Sequence, residues 1–409
     1  MNLYDIKGEK ITQTLFNYPS TVVVAASNSA PEDKEIADYV CDGKNDEVEI
    51  QAALNTFASK SGTVLLCNGT YNIESLYDTG SEQYGKFGLY VSKQSVNHNV
   101  AIKGVSKPSR VGTYSIGCGA TINLGIEAYE TLGDDEKLTI LGALGPKQYP
   151  NLNLTIENIG FNVPGVMKKI IVIDLEYCSN ARIDYVLMGL SNDAVPSPTP
   201  NQDYVGIRCL PGFNFGTGYY INNCFLWGFG VAFDVGGEHL IMQGCGCRFC
   251  DITYRFNAYD NPGRMSHPNT LINCCEEECV RSMYFCKSDR KQSISLIDFN
   301  IEERETEYPD FPRSTKAVEE RPGDFRGIII YTANKENYIN YRNVPFWEEG
   351  SGIHFRTINT VHQLAGTSTE RLTYSPNLMQ DYYDTTLGKR VFYNGTDWVD
   401  MNGNKVDEA

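Results

Sequence analysis

Long apolar runs are absent from this chain of 409 residues. Stretches such as Val22–Ala26 and Ile328–Tyr331 fall far short of the roughly 20 residues that a helix needs to cross a bilayer, so membrane insertion is not expected. The first twenty residues mix Asp5, Lys7, Glu9 and Lys10 with scattered apolar side chains. They lack the charged start, apolar stretch and small-residue cleavage site of a secretory signal. Synthesis in a reducing cytosol is therefore expected, where structural disulfides do not persist. Positive charge is in short supply as well: 35 Lys+Arg face 51 Asp+Glu, a net charge of −16. Such a surface repels nucleic acid and anionic membranes, and neither is expected as a partner. Histidine is rare, and neither His239 nor His267 has an acid–base partner close by in sequence.

What remains is a folded chain. Hydrophobic residues make up 41% and charged residues 21%, which excludes a disordered or low-complexity protein. Residues 42–73 are the most legible block. Asn45 or Asp46 can cap a helix, and Glu49 stands at capping-box spacing from Asp46. Ile50, Ala53, Leu54 and Phe57 follow as one apolar helix face. Gly62 ends the helix; Thr63–Cys67 and Thr70–Ile73 read as strands around an Asn68-Gly69 turn. Asp42 and Asp46 are read as turn and capping residues rather than catalytic ones.

The series Ala37-Asp38-Tyr39, Asp42-Gly43, Asn45-Asp46-Glu47, Ile50-Gln51-Ala52-Ala53, Gly62-Thr63-Val64 and Gly69-Thr70-Tyr71 resembles the opening of the pectate-lyase-like superfamily. With Cys41 inside it and Val22–Ala26 before it, the series is similar to the form found in bacteriophage and prophage tail proteins. The resemblance implies an all-β chain: a single-stranded right-handed parallel β-helix with an N-terminal capping helix and a small C-terminal β module. It also implies an attachment segment over 1–35, a coil stack over 36–305 with its capping helix near 46–59, and final coils or a small β domain over 306–375. The C-terminal module then takes 376–409.

A β-helix shows short apolar strands about every 20–30 residues, with no long helices between them. Strands centred on Ile102, Ile122, Ile156, Ile183, Ile221, Met242, Ile272 and Ile297 fit, at irregular separations that require loops. With these anchors inward, Ile159, Val186, Cys224, Cys245 and Cys275 lie three residues on. Strict alternation turns that position outward, so a bend must return it to the core. This accounts for many of the 13 cysteines as an internal ladder. Cys247 and Cys250 form a CxxC near Cys274, Cys275 and Cys279, but no second CxxC stands at zinc-ribbon distance. Core packing is favoured over a metal.

The residues after the anchors, Glu157, Asp184, Asn222, Gln243, Asn273 and Asp298, are expected to form an outward polar row. Neighbouring coils lie about 4.8 Å apart, near the carboxylate separation of about 5–5.5 Å used by retaining glycosidases. Glu157 and Asp184 are thus candidate catalytic carboxylates. Arg182, on the same face, is placed to neutralise a sugar carboxylate. An exposed acidic wall with ordinary ion pairs is the stronger reading of this trio. A second group, Glu276, Glu277, Glu278 and Arg281 with Asp298, Glu302 and Glu303, offers Glu276 and Asp298 as further catalytic candidates, or oxygen ligands for calcium, with a solvated turn as the stronger reading. No other cofactor is expected. The known motifs of the superfamily are missing. Asn201-Gln202-Asp203 follows Asp134-Asp135 in the wrong order for a polygalacturonase, there is no Gly-His-Gly, and no Arg-x-Pro-x-x-Arg element is present.

At the far end, Tyr382–Arg390 precedes Val391-Phe392-Tyr393, Asn394-Gly395 and Thr396–Asp400, two aromatic strands around an Asn-Gly turn. The order resembles a short module at the ends of structural proteins of gut bacteriophages. Both ends together imply a tailspike or fibre located in the virion and made in the bacterial cytoplasm. Its expected partners are bacterial surface polysaccharide, two further copies in a homotrimer, and other virion proteins. A polysaccharide lyase or glycoside hydrolase, and a non-catalytic virion decoration, are the alternatives.

Overall fold

A computed structural model describes residues 20–82, 84–92, 98–111, 115–133, 135–144, 152–164, 168–176, 178, 180–190, 203–209, 218–235, 239–256, 268–285, 293–297, 300–302, 318–319, 328–332, 354–357, 365–372 and 381–406. Most of them form three long sheets of twelve, eight and nine strands that the chain visits in turn. All pairings within the first two sheets are parallel; in the third, Tyr77–Asp78 alone runs antiparallel to its neighbour, Lys86–Ser92. Each pass through the three sheets is one coil of an all-β stack.

The first sheet shows why the strands form. Val64, Ile102, Ile156, Ile183, Ile221, Met242 and Leu271 stand in register and are wholly buried. Alternate residues face away from this column, and the branched side chains suit the pleated surface. Each such side chain contributes roughly 1.5–3 kcal/mol by leaving water. The sheet starts with Tyr39–Val40 and Ser20–Ala25, the latter within the segment 1–35, and extends through Ile328–Thr332 to His354–Thr357.

Two of the expected anchors are displaced by one residue. Ile272 stands in register with outward Gln243, and Ile297 pairs with Ile272 and is 39% exposed. Leu271 occupies the inward column instead, with Leu296 in register beside it. Both strands carry Leu and Ile side by side, so alternation alone does not say which points in, and a slip of one residue inverts every side chain. Asn273 therefore leaves the polar row, and Asp298 lies outside the described residues.

The bend required by the sequence is present in every one of these coils. Asn158, Tyr185, Asn223, Gly244 and Asn273 have φ of 58°, 51°, 53°, 62° and 49°. Asparagine and glycine enter this left-handed region readily. Each bend donates its N–H to the next coil: Asn158 to Asp184 O at 3.0 Å, Tyr185 to Asn222 O at 3.1 Å, Asn223 to Gln243 O at 2.9 Å. The residues that follow, Ile159, Val186, Cys224, Cys245 and Cys274, are buried. Cys274 takes the place expected of Cys275, again by the one-residue slip. A second bend at Gly228, Phe249 and Glu278 turns Phe229, Cys250 and Cys279 into the core in the same way.

Near the N-terminus, Glu47–Asn55 is the expected helix, with Ile50, Ala53, Leu54 and Phe57 all buried in the main core. It touches the first strands of all three sheets. Asp46 precedes it but does not cap it. Its carboxylate accepts the N–H groups of Gly43 and Asn72, each at 2.8 Å, and so ties the loop to the strand Gly69–Ile73. Asp42 does serve a turn, accepting the Lys44 N–H at 2.8 Å.

The C-terminal hairpin is present. Lys389–Tyr393 pairs antiparallel with Trp398–Val399 around Asn394-Gly395, and with Asp381–Asp384 on its other side. Ala365–Gly366 and the short helix Ser368–Leu372 join this module, where buried Arg371 meets Asp384 at 2.9 Å. Tyr382, Val391, Trp398 and Val406 form its own small core.

Candidate functional site

The outer face of the first sheet carries the residues that the sequence singled out. Glu157 and Asp184 stand in register on adjacent coils, with Lys103 in register on the other side of Glu157. The two carboxylates are bound into an ion-pair chain rather than left opposed. Lys103 Nζ is 2.7 Å from Glu157 Oε2, and Arg182 bridges Glu157 Oε1 at 3.7 Å and Asp184 Oδ2 at 2.9 Å. Asn223 Nδ2 donates to Asp184 Oδ1 at 3.1 Å. Its hydrogen bond to Asp184 raises the pKa of the Arg182 guanidinium above its ordinary value. Arg182 is 56% exposed along its side chain and presents its charge to solvent.

Beside this chain runs a column of exposed amides. Asn180 donates to Asn153 Oδ1 at 3.0 Å, and Asn153 to Asn99 Oδ1 at 2.5 Å. In sequence these are Asn99-x-x-Ile102, Asn153-x-x-Ile156 and Asn180-x-x-Ile183, a repeat at fixed distance ahead of each inward isoleucine. That spacing was the available signal, and a search for charged pairs passes over it. Tyr220, 49% exposed, stands in register with Arg182, and Asn222 and Gln243 continue the column of Glu157 and Asp184. The face thus offers hydroxyl-matching amides, an exposed guanidinium paired with two carboxylates, and an aromatic ring.

The second acidic group does not gather. Glu276 points into the coil interior, in register with Cys247 and Leu226, and is wholly buried. Its oxygens accept the Cys279 N–H at 3.1 Å and the Ser282 hydroxyl at 2.8 Å. Glu277 and Glu278 both reach Arg248, and Arg281 pairs with Asp251 at 2.8 Å. Glu276 is neither in a solvated turn nor open to solvent: the strand Cys275–Glu277 puts its middle residue inward. Asp298, Glu303 and His267 lie outside the described residues, and Glu302 is a strand residue of the second sheet. His239 sits in a left-handed bend, φ 56°, its carbonyl accepting the Tyr219 N–H.

Another charged column, on the third sheet, was not anticipated. Asp174, Arg208, Asp234 and Arg255 follow one another in register. Arg208 grips Asp174 through Nε at 3.1 Å and through Nη2, and also takes Glu176 at 2.7 Å. Arg255 holds Asp234 at 2.9 and 2.6 Å. Burial opposes the charge of Asp174, but Arg208 and Lys137 outweigh it and hold the carboxyl below its ordinary value.

No family model matches the chain, and no curated protein matches it. Among solved structures, tailspike protein 3 of bacteriophage CBA120 is similar over 88% of this chain and 67% of that one, with 11% identity and a TM-score of 0.19. So slight a likeness carries no argument. In the described residues no helix is long and apolar enough to cross a membrane.

Proposed function

We propose that this chain is a tailspike-like virion protein that binds bacterial surface polysaccharide along the outer face of its first sheet. One observation carries the reading: exposed amides recur over three coils beside the Lys103–Glu157–Arg182–Asp184 chain and Tyr220 on one parallel face. A linear glycan repeats its hydroxyls and carboxylates along its length, and a ladder of amides with a protruding guanidinium suits that pattern. An exposed aromatic ring stacks on sugar faces. In this reading the helix Glu47–Asn55 closes the amino-terminal end of a right-handed coil stack, and the chain assembles as a homotrimer attached to other virion proteins. Exposed Ile241 and Ile297 on the same sheet supply apolar area for contacts between copies.

Binding to a panel of capsular and cell-wall polysaccharides tests the assignment. Retention of the wild type that falls tenfold or more in Arg182→Ala and Tyr220→Ala supports it; equal retention of both variants removes the face from the proposal. Light scattering that gives a monomer at micromolar concentration removes the trimer.

A second reading, a depolymerase using Glu157 and Asp184, rests on their placement in register on adjacent coils. Their pairing with Lys103 and Arg182 holds both carboxylates in ion pairs, which suits recognition better than an acid–base exchange. New reducing ends or unsaturated products that vanish in Glu157→Gln support catalysis; a panel without product leaves binding alone.

A further inference from the structure

Two sets of cysteines lie inside the coils, and their surroundings differ. Cys224, Cys245 and Cys274 follow the first bend, and each sulfur contacts the carbonyl two residues before it, at 3.2, 3.5 and 3.5 Å. Such contacts suit a neutral thiol donating its hydrogen. Cys250 and Cys279 follow the second bend and make the same short-range contacts, to Arg248 O and Glu277 O. Their sulfurs also accept peptide N–H groups. The Phe229 N–H donates to Cys250 Sγ at 3.4 Å, and the Cys250 N–H donates to Cys279 Sγ at 3.4 Å.

Cys247 completes a triangle. It reaches the same space from the inward column of the second sheet, and its Sγ is 3.5 Å from Cys279 Sγ and 3.4 Å from Thr253 Oγ1. The sulfurs of Cys247, Cys250 and Cys279 all lie within 4.8 Å of one another, and all three residues are buried. Sulfurs around a zinc ion at about 2.3 Å stand about 3.8 Å apart, so the triangle needs only a small contraction to close on a cation. Peptide N–H groups aimed at sulfur are the outer-shell pattern that steadies metal thiolates.

We propose that Cys247, Cys250 and Cys279 form a three-thiolate site for a thiophilic d10 cation, zinc or cuprous copper. Soft sulfur ligands select these ions over calcium or magnesium. The cation enters as the coils close, displacing three thiol protons to solvent, because all three cysteines are buried once the chain is folded. The CxxC supplies two ligands from one strand and bend, and the next coil brings the third. The site is structural, joining two coils from within, and stands apart from the glycan face.

Elemental analysis of the full-length chain, purified without chelator from cells supplied with zinc or copper, is the test. About one equivalent of zinc or copper per chain should survive dialysis, and which metal is retained distinguishes the two. Cys250→Ser and Cys279→Ser should lose at least nine tenths of it, and Cys245→Ser should keep it. Refolding the wild type with cadmium should add a sulfur-to-cadmium charge-transfer band. That band serves as the independent readout where a serine variant fails to fold. A wild type that refolds with less than about a tenth of an equivalent of zinc, copper or cadmium, all cysteines free on denaturation, overturns the proposal. So does full metal retention in folded Cys250→Ser.

Discussion

The outer faces of the first and third sheets both carry acid–base ladders at coil spacing, yet they stand in different surroundings. On the first sheet, Lys103, Glu157, Arg182 and Asp184 are joined by single contacts of 2.7, 3.7 and 2.9 Å, and the Arg182 head faces water. On the third, Arg208 and Arg255 each clasp an aspartate with two nitrogens, and Asp174 and Asp234 are buried. A buried carboxylate requires its partner, whereas an exposed one loses little without it. The same residue types thus hold the stack together on one side and leave charge available for a ligand on the other.

The sharpest way to break this contrast is Asp234→Ala. It removes the buried carboxylate that clasps half-buried Arg255 through two hydrogen bonds and should cost about 3 kcal/mol, seen as a large fall in the urea midpoint at unchanged slope. A loss no greater than that of the surface variants below would erase the distinction. Acid titration tests the same face more gently. Asp174 has a folded pKa below its unfolded value, so its contribution is complete above the unfolded carboxylate range and is lost as pH falls through the depressed folded value. Stability of the wild type should therefore decline from about pH 4 downward, and Asp174→Asn should flatten that decline. On the exposed face, Glu157→Gln and Asp184→Asn should each change stability by less than about 1 kcal/mol, while altering glycan retention and its salt dependence. Ile272→Lys should have the smallest effect, within about 0.5 kcal/mol, because this side chain points outward; Leu271→Lys at the neighbouring position should unfold the chain. The reverse outcome would restore the register expected from the sequence.

Much of this was readable in advance where a single rule governs. The helix face Ile50, Ala53, Leu54 and Phe57, the Asn394-Gly395 hairpin and the adjacency of Glu157 to Asp184 follow from period and turn chemistry. The need for a bend three residues into each coil followed from Cys224 and Cys245 being too apolar for the outside. Failures occurred where two rules give the same string. Leu271-Ile272 allows either side chain to point inward, and Glu276 gives no sign that its middle position in a short strand faces the core. In the third sheet the alternation itself breaks. Ala232 and Phe233 both enter the main core while Val231 and Asp234 face out, and Val172 and Ile173 repeat this one coil or more away. A strand that bends across a corner shows two inward residues in succession, so a period of two does not find the Asp174–Arg255 ladder.

The left-handed bends have a consequence for how such a protein changes length. The N–H of Asn158 is satisfied by the coil of Asp184, that of Tyr185 by the coil of Asn222, and that of Asn223 by the coil of Gln243. Each of these coils offers the same donor upward and the same acceptor downward, whatever its sequence between corners. A whole coil can therefore be spliced in or taken out with its neighbours rejoining through unchanged bonds, while a gain or loss of a single residue between corners breaks two levels at once. The grain of this molecule is the coil, and the length of the stack is adjustable only in steps of about 4.8 Å.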